Sequence, residues 1–242
     1  MRRGRATGAA WAALMFGCAP FFAAHAQGLA VAPVRLDVAR GARAEVLTVT
    51  SHGDEPADVQ VRVLRWTQDD SDDLLQPTDD VTVSPSRFAL PGRAEQVVRV
   101  YRRNEADGER SYRVVIDQLP TGEAPAGTVR LPLRLVIPLF VEGRNADGHA
   151  DLDWQARRGS DTLTLRLYNR GERHLRISRL AFAGDGGAQD SHDVLVYLLP
   201  GARREVRLPR PSWLTSAATS VHVLGDSDAG ALDARLDLVG DP

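Results

Sequence analysis

The chain has 242 residues, a formal charge of −2, and arginine at all 30 of its lysine or arginine positions. This length is enough for two ordinary domains, each with its own core. The slightly acidic balance argues against a protein that binds nucleic acid or an anionic membrane surface through its overall charge.

Residues 1–26 have the features of a secretory signal peptide. Arginines come first, an apolar run from Ala9 to Ala24 follows, and Ala24 and Ala26 are the small residues that a signal peptidase recognises. A membrane anchor or a lipoprotein site at Cys18 are the alternatives, but the run is short for a membrane span. Cleavage after Ala26 would leave 216 residues, no cysteine and a charge of −5. Such a protein depends on core burial rather than disulfides.

The first half of the chain is predicted to consist of strands and turns. Its apolar side chains recur at every second residue, which is the period of a strand with one buried face. Tyr112 is a candidate for the hydroxyl-bonded corner tyrosine of an immunoglobulin-like sandwich. The predicted strands are Leu29–Val38, Ala44–Thr50, Val59–Trp66, Val81–Val83, Arg87–Leu90, Gln96–Tyr101 and Tyr112–Pro120.

The acidic segment Gln68–Asp80 is predicted to be a solvated loop. Its six aspartates raise the alternative of a calcium site. However, the glycine and the glutamate that an EF-hand loop needs at fixed positions are missing, so no metal site is predicted.

The segment Thr128–Val141 is the most distinctive one in the sequence. Its seven odd-numbered positions are all aliphatic, while Pro132 and Pro138 lie at even positions. Proline has no N–H for a sheet ladder and is found mainly at sheet edges. The pattern therefore predicts a long strand with one unpaired edge and a row of apolar side chains.

The second half repeats the strand pattern after a polar, glycine-containing break at Glu142–Gly148, where the domain boundary is predicted. This divides the chain into a signal peptide at 1–26, a first domain at 27–142 and a second all-β domain at 143–242. The predicted strands are Leu152–Ala156, Thr162–Tyr168, Leu175–Phe182, Val194–Leu198, Glu205–Leu208, Val221–Leu224 and Leu232–Leu238.

The motifs of known enzyme classes are missing from the sequence. The histidines are scattered without zinc-like spacing, and no nucleophile elbow or phosphate loop is present. The tripeptide Ser191-His192-Asp193 resembles a triad only in composition, because triad residues meet in space rather than as sequence neighbours. No catalytic residue, metal, cofactor or small-molecule substrate is predicted.

Several short stretches in the first half together resemble the periplasmic chaperones of the chaperone–usher pathway, which assemble pili and fimbriae. The matching pieces are Pro33–Leu36, Trp66 with Gln68, Leu75–Thr78, Val83–Pro85 with Phe88, Gln96–Arg99, Glu109–Arg113, Leu119–Pro120 and Ile137–Val141. The Ile-Pro-Leu-Phe sequence resembles that of a divergent branch of these chaperones, which serves archaic or spore-coat-U-like pili.

The resemblance implies two immunoglobulin-like β-sandwich domains in a boomerang arrangement, located in the periplasm. Such chaperones bind a pilus subunit whose own fold lacks its final strand, and deliver it to an outer-membrane usher. They donate a strand of the first domain to the subunit, a form of β-augmentation. Here the implied donor side chains are Val129, Leu131, Leu133 and Leu135, which would contribute about 6–12 kcal/mol if fully buried.

The resemblance also implies an anchor for the carboxylate at the end of the subunit, formed by an arginine and a lysine. Arg35 matches the arginine, and a guanidinium suits a carboxylate in bidentate geometry. The lysine position falls on Pro138, so Arg134 and Arg99 are the candidates for a second anchor. The alternative function is an exported two-domain adhesion or structural module, in which the side chains from Val129 to Leu135 would be buried within the chain's own core.

Overall fold

A computed structural model describes residues 28–69, 72–120, 131–144, 148–184 and 189–239. All the regular secondary structure within these ranges is β-strand. None of these residues forms a helix long and apolar enough to cross a membrane. The predicted signal peptide lies outside the described residues.

The described residues of the first half form ten strands in two sheets. One sheet has the order β1-β3-β8-β6, and the other has the order β2-β10-β9-β4-β5, with β7 also paired to β4. The strands are β1 (Leu29–Ala32), β2 (Leu36–Val38), β3 (Ala44–Ser51), β4 (Ala57–Gln68), β5 (Asp73–Pro77), β6 (Val81–Ser84), β7 (Arg87–Leu90), β8 (Glu95–Arg102), β9 (Arg110–Leu119) and β10 (Arg134–Val141).

The core of the first half lies between these two sheets. Val49 and Val98 come from one sheet, and Val61, Ile116 and Leu139 come from the other; all five side chains are buried in one cluster. Along β3, β4 and β8, buried residues mostly alternate with less buried ones, whereas the middle of β9 and the end of β10 are buried on both faces. The period-two pattern directs one face of each sheet into this core.

The described residues of the second half form a sheet of seven strands in the order β14-β13-β16-β17-β11-β12-β15. All its pairs are antiparallel except the short contact between β11 and β17, where Ala156 and Arg157 lie beside Leu238 and Val239. The strands are β11 (Leu152–Arg158), β12 (Thr162–Asn169), β13 (Leu175–Ala183), β14 (Gln189–Leu198), β15 (Arg203–Pro209), β16 (Ser220–Ser227) and β17 (Gly230–Val239).

The all-β fold with two immunoglobulin-like parts is confirmed, but three local predictions were wrong. Of the predicted long strand Thr128–Val141, residues 131–133 are described but lie outside β10, which begins at Arg134. The predicted single strand Leu29–Val38 is two strands: β1 pairs with β3 in one sheet, and β2 pairs with β10 in the other. The chain changes sheets at Pro33, which has no N–H to continue a ladder. The predicted solvated loop Gln68–Asp80 contains β5, which pairs with the end of β4. The domain boundary near residue 142 stays a prediction.

Candidate functional site

The first half of β10 has a free edge. On one side the whole strand pairs with β9, from Arg134 opposite Asp117 to Val141 opposite Arg110. On the other side β2 pairs only with Leu139–Val141. Within the described part of the chain, Arg134–Pro138 therefore has a paired edge and an unpaired edge.

The alternation of hydrogen bonds shows which residues direct their backbone groups to the free edge. The Gln118 N–H donates to the Leu133 carbonyl at 2.8 Å. Because hydrogen-bonded and non-hydrogen-bonded pairs alternate along an antiparallel ladder, Leu135 and Ile137 also direct their backbone groups toward β9. Val136 and Pro138 direct theirs to the opposite side. The missing N–H of Pro138 thus removes no bond to β9.

The odd-numbered side chains of this segment divide into three groups. Ile137, Leu139 and Val141 are buried in the core of the first half. Leu133 and Leu135 are half-buried and pack against that core. Leu131 is 85% exposed, which does not fit the alternative of a segment packed within its own core. Val129 lies outside the described residues.

Arg35 lies between β1 and β2 and contacts both halves of the chain. Its Nε and Nη2 donate to the Asp37 carboxylate at 2.8 Å, and its Nη1 donates to Asp228 Oδ2 at 2.9 Å. Its guanidinium carbon lies 5.0 Å from the centroid of the Phe140 ring. Burial acts to lower the pKa of Arg35, but the hydrogen bonds to the two carboxylates outweigh this and raise the pKa.

The structure does not bring the two other candidate anchors next to Arg35. Arg134 forms an ion pair with Asp117, which also accepts a hydrogen bond from Arg62. Along β10, Arg134 is five residues from Leu139, the neighbour of Leu36, which is about 17 Å at the usual rise of a strand. Arg99 is on β8, in the other sheet. Their role as a second anchor stays a prediction.

An aromatic cluster joins the two halves next to Arg35. The Phe140 ring stacks on His174 with centroids 3.4 Å apart, and it lies 6.1 Å from Trp66 and 5.9 Å from Tyr197. Phe140 and Trp66 are buried in the same core cluster as the strands of the second half. The arrangement places Arg35 over an apolar surface at the junction.

Arg113 also belongs to this cluster, although it was not among the predicted site residues. Arg113 is the cross-strand neighbour of Pro138, and its guanidinium carbon lies 3.5 Å from the centroid of Trp66. The available signal was its polar position between inward-facing Tyr112 and Val114. The register between β9 and β10, which the sequence does not show, is what places it opposite Pro138.

Charged side chains also connect the two halves around His174. Glu109 Oε1 accepts from the His174 backbone N–H at 2.9 Å and lies 2.8 Å from its Nδ1. Arg173 Nη2 donates to Glu142 Oε1 at 2.7 Å. No group of three or more potential metal ligands occurs in the part of the chain that is described. This side of the junction is thus a set of ion pairs and hydrogen bonds.

The first half of the chain matches the model of a known protein family. Residues 28–145 match the family model of pili and flagellar-assembly chaperones, PapD N-terminal domain. A search of curated proteins gives no match.

Three solved structures are similar over most of their length. The complex of the chaperone CsuC with the tip adhesion subunit CsuE, from archaic chaperone–usher Csu pili of Acinetobacter baumannii, has a TM-score of 0.61 at 20% identity, covering 89% of this chain and 100% of that chain. The Salmonella enterica SafA pilin in complex with the SafB chaperone has a TM-score of 0.60 at 17% identity, covering 88% of this chain and 97% of that chain. The E. coli chaperone DraB has a TM-score of 0.56 at 22% identity, covering 87% of this chain and 97% of that chain. At these identities the likeness establishes the fold alone.

Proposed function

We propose, because residues 28–145 match the family model of pili and flagellar-assembly chaperones, that the protein is a periplasmic chaperone that binds pilus subunits by donor-strand complementation. It acts without a chemical step and delivers the subunit to an outer-membrane usher. Two of the similar structures are chaperone complexes, one with a tip adhesion subunit and one with a pilin. Membership of the archaic branch stays a prediction.

The free edge of β10 is the observation that carries this proposal. Leu131 is exposed beside it, and Val136, whose backbone faces the edge, is 44% exposed. A subunit strand that pairs with this edge would receive hydrogen bonds from the Arg134 and Val136 backbones and cover the apolar side chains. The half-buried Leu133 and Leu135 must turn further toward the subunit to act as donor side chains.

Arg35 is proposed to bind the carboxylate at the end of the subunit. Within the described residues, its contacts with Asp37 and Asp228 use three of the five N–H groups of the guanidinium. The other two, on Nη1 and Nη2, are available to a further carboxylate. The existing contacts hold the guanidinium in place before the subunit arrives, which reduces the ordering cost of binding.

Co-expression with a β-rich exported subunit tests the proposal. Leu131→Arg/Leu133→Arg is expected to abolish the recovered complex, because charge enters the apolar contact, and Arg35→Ala is expected to reduce it at least about tenfold, the effect of losing about 1.4 kcal/mol. Leu195→Arg is the matched control, since Leu195 is 70% exposed on β14 in the other half. If the folded double variant and Arg35→Ala both give wild-type yields of subunit and complex, the proposal is wrong.

A further inference from the structure

A second contact between the halves lies at the end of β4. The side-chain amide of Gln68 meets the backbone at the end of β14: Nε2 donates to the Tyr197 carbonyl at 3.0 Å, and Oε1 accepts from the Leu199 N–H at 2.9 Å. A carbonyl and an N–H two residues apart on one side of a strand are the groups with which a residue of a parallel neighbouring strand pairs. The Gln68 amide thus takes the place of a strand neighbour.

Trp66, two residues before Gln68 on β4, contacts the same residue of the second half. Its ring lies 5.6 Å from the Tyr197 ring in an edge-on arrangement, and the Arg113 guanidinium covers it at 3.5 Å. Trp66 is fully buried. Residues 66 and 68 project on the same face of the strand, so β4 holds both the ring and the backbone of Tyr197.

Asp73 connects and orients this contact. Its Oδ1 accepts from Gln68 Nε2 at 3.0 Å and lies 3.0 Å from Nη2 of Arg204, which belongs to the second half. Its Oδ2 accepts from Arg113 at 3.4 Å. Since a carboxylate only accepts hydrogen bonds, it requires the NH₂ end of the Gln68 amide to face it. That same NH₂ group reaches the Tyr197 carbonyl.

The Gln68 contact and the ion pairs around His174 are separate attachments between the two halves. Phe140 lies next to both, because it stacks on His174 and is also close to Trp66. One attachment would leave the halves able to rotate about it, whereas attachments at different places, which include the Arg35–Asp228 hydrogen bond, restrict that rotation. We propose that Gln68 is a positioning residue that fixes the angle between the two sandwiches, with Asp73 holding its amide in the required orientation. This inference does not depend on subunit binding.

Residual dipolar couplings of the full exported chain test the inference. In the wild type, one alignment tensor is expected to fit the couplings of both halves. Gln68→Glu replaces the NH₂ group with an oxygen that faces the Tyr197 carbonyl and Asp73. Gln68→Ala removes the hydrogen bonds to the Tyr197 carbonyl and the Leu199 N–H without adding charge. Both variants are expected to need two tensors of different orientation. Gln60→Glu, at the other end of β4, is the matched control and is expected to keep one tensor.

Amide chemical shifts in β3, β8, β13 and β16 check that each sandwich remains folded in the variants. If Gln68→Ala retains a single tensor with the wild-type orientation, the inference is overturned, even where Gln68→Glu differs. If Gln68→Ala unfolds either sandwich, the residue is needed for folding rather than for orientation, and the inference is equally overturned.

Discussion

Asp80 shows how a single carboxylate can order a polar region of the first half. It accepts hydrogen bonds from Arg65 and Arg110 at 3.0 Å each, and from the Tyr112 hydroxyl at 3.1 Å. Burial acts to raise the pKa of Asp80, but hydrogen bonds from Asn104, Tyr112 and Arg110 outweigh it and lower the pKa. Burial, together with the charge of Asp80, raises the pKa of Tyr112 to about 12. The predicted corner tyrosine is thus hydroxyl-bonded, but to a side chain.

Asp80→Asn is expected to destabilise the protein at neutral pH more than in acid. A carboxyl whose pKa is lowered on folding stabilises the folded state above its unfolded value of about 3.9, and this contribution is lost as the pH falls through the folded pKa. We expect a loss of about 1–3 kcal/mol at neutral pH and a smaller loss near pH 2.5, measured by urea unfolding. Asp79→Asn is the exposed control. Equal losses at both pH values would contradict this account.

β10 combines an open and a closed part within one strand. Among the described residues, Arg134–Pro138 has only β9 as a neighbour, whereas Leu139–Val141 lies between β9 and β2. Proline fits the open part because its missing N–H faces away from β9, and prolines are tolerated at sheet edges. The end of β10 therefore packs in the core, while its beginning has backbone groups available for pairing with another strand.

Two proline substitutions on β10 separate these roles. Val136→Pro removes an N–H that faces the free edge, so the free energy of unfolding should change by less than about 1 kcal/mol. Leu135→Pro, one residue earlier, removes an N–H that faces β9 and should cost about 3 kcal/mol or more. Urea unfolding measures both. Val136→Pro is also expected to prevent recovery of a subunit complex, and normal recovery from this stable variant would exclude pairing at Val136.

The sequence predicts those features that depend on local alternation. The seven described strands of the second half were all predicted, with ends within a few residues except the start of β14. The position of Pro138 on a strand with an unpaired edge was also predicted. Features that depend on which distant strands pair with each other were not predictable. The change of sheet after Ala32, the pairing of Asp73–Pro77 with β4 and the position of Arg113 opposite Pro138 all depend on register between distant strands, which one sequence does not encode locally.

The two sandwiches share side chains at their junction. Phe140 is on β10 of the first half, yet it is buried in the core cluster of the second half together with Trp66. Arg35 and Gln68 of the first half bind Asp228 and the Tyr197 backbone of the second. Because apolar and polar contacts both cross the junction, we expect the halves to stabilise one another rather than to unfold independently.

Phe140→Ala tests this mutual stabilisation. Removing a buried phenylalanine should cost about 3–5 kcal/mol, and because Phe140 lies at the junction, both halves should lose stability. Phe182→Ala is the control, since Phe182 is equally buried but belongs only to the second core. Native-state amide hydrogen exchange reports each half separately, through Val49 and Val98 in the first and Ile177 and Val223 in the second. Phe140→Ala should speed exchange in both sets, and Phe182→Ala mainly in the second. If Phe140→Ala leaves Val49 and Val98 as protected as in the wild type, the first sandwich gains no stability from the second.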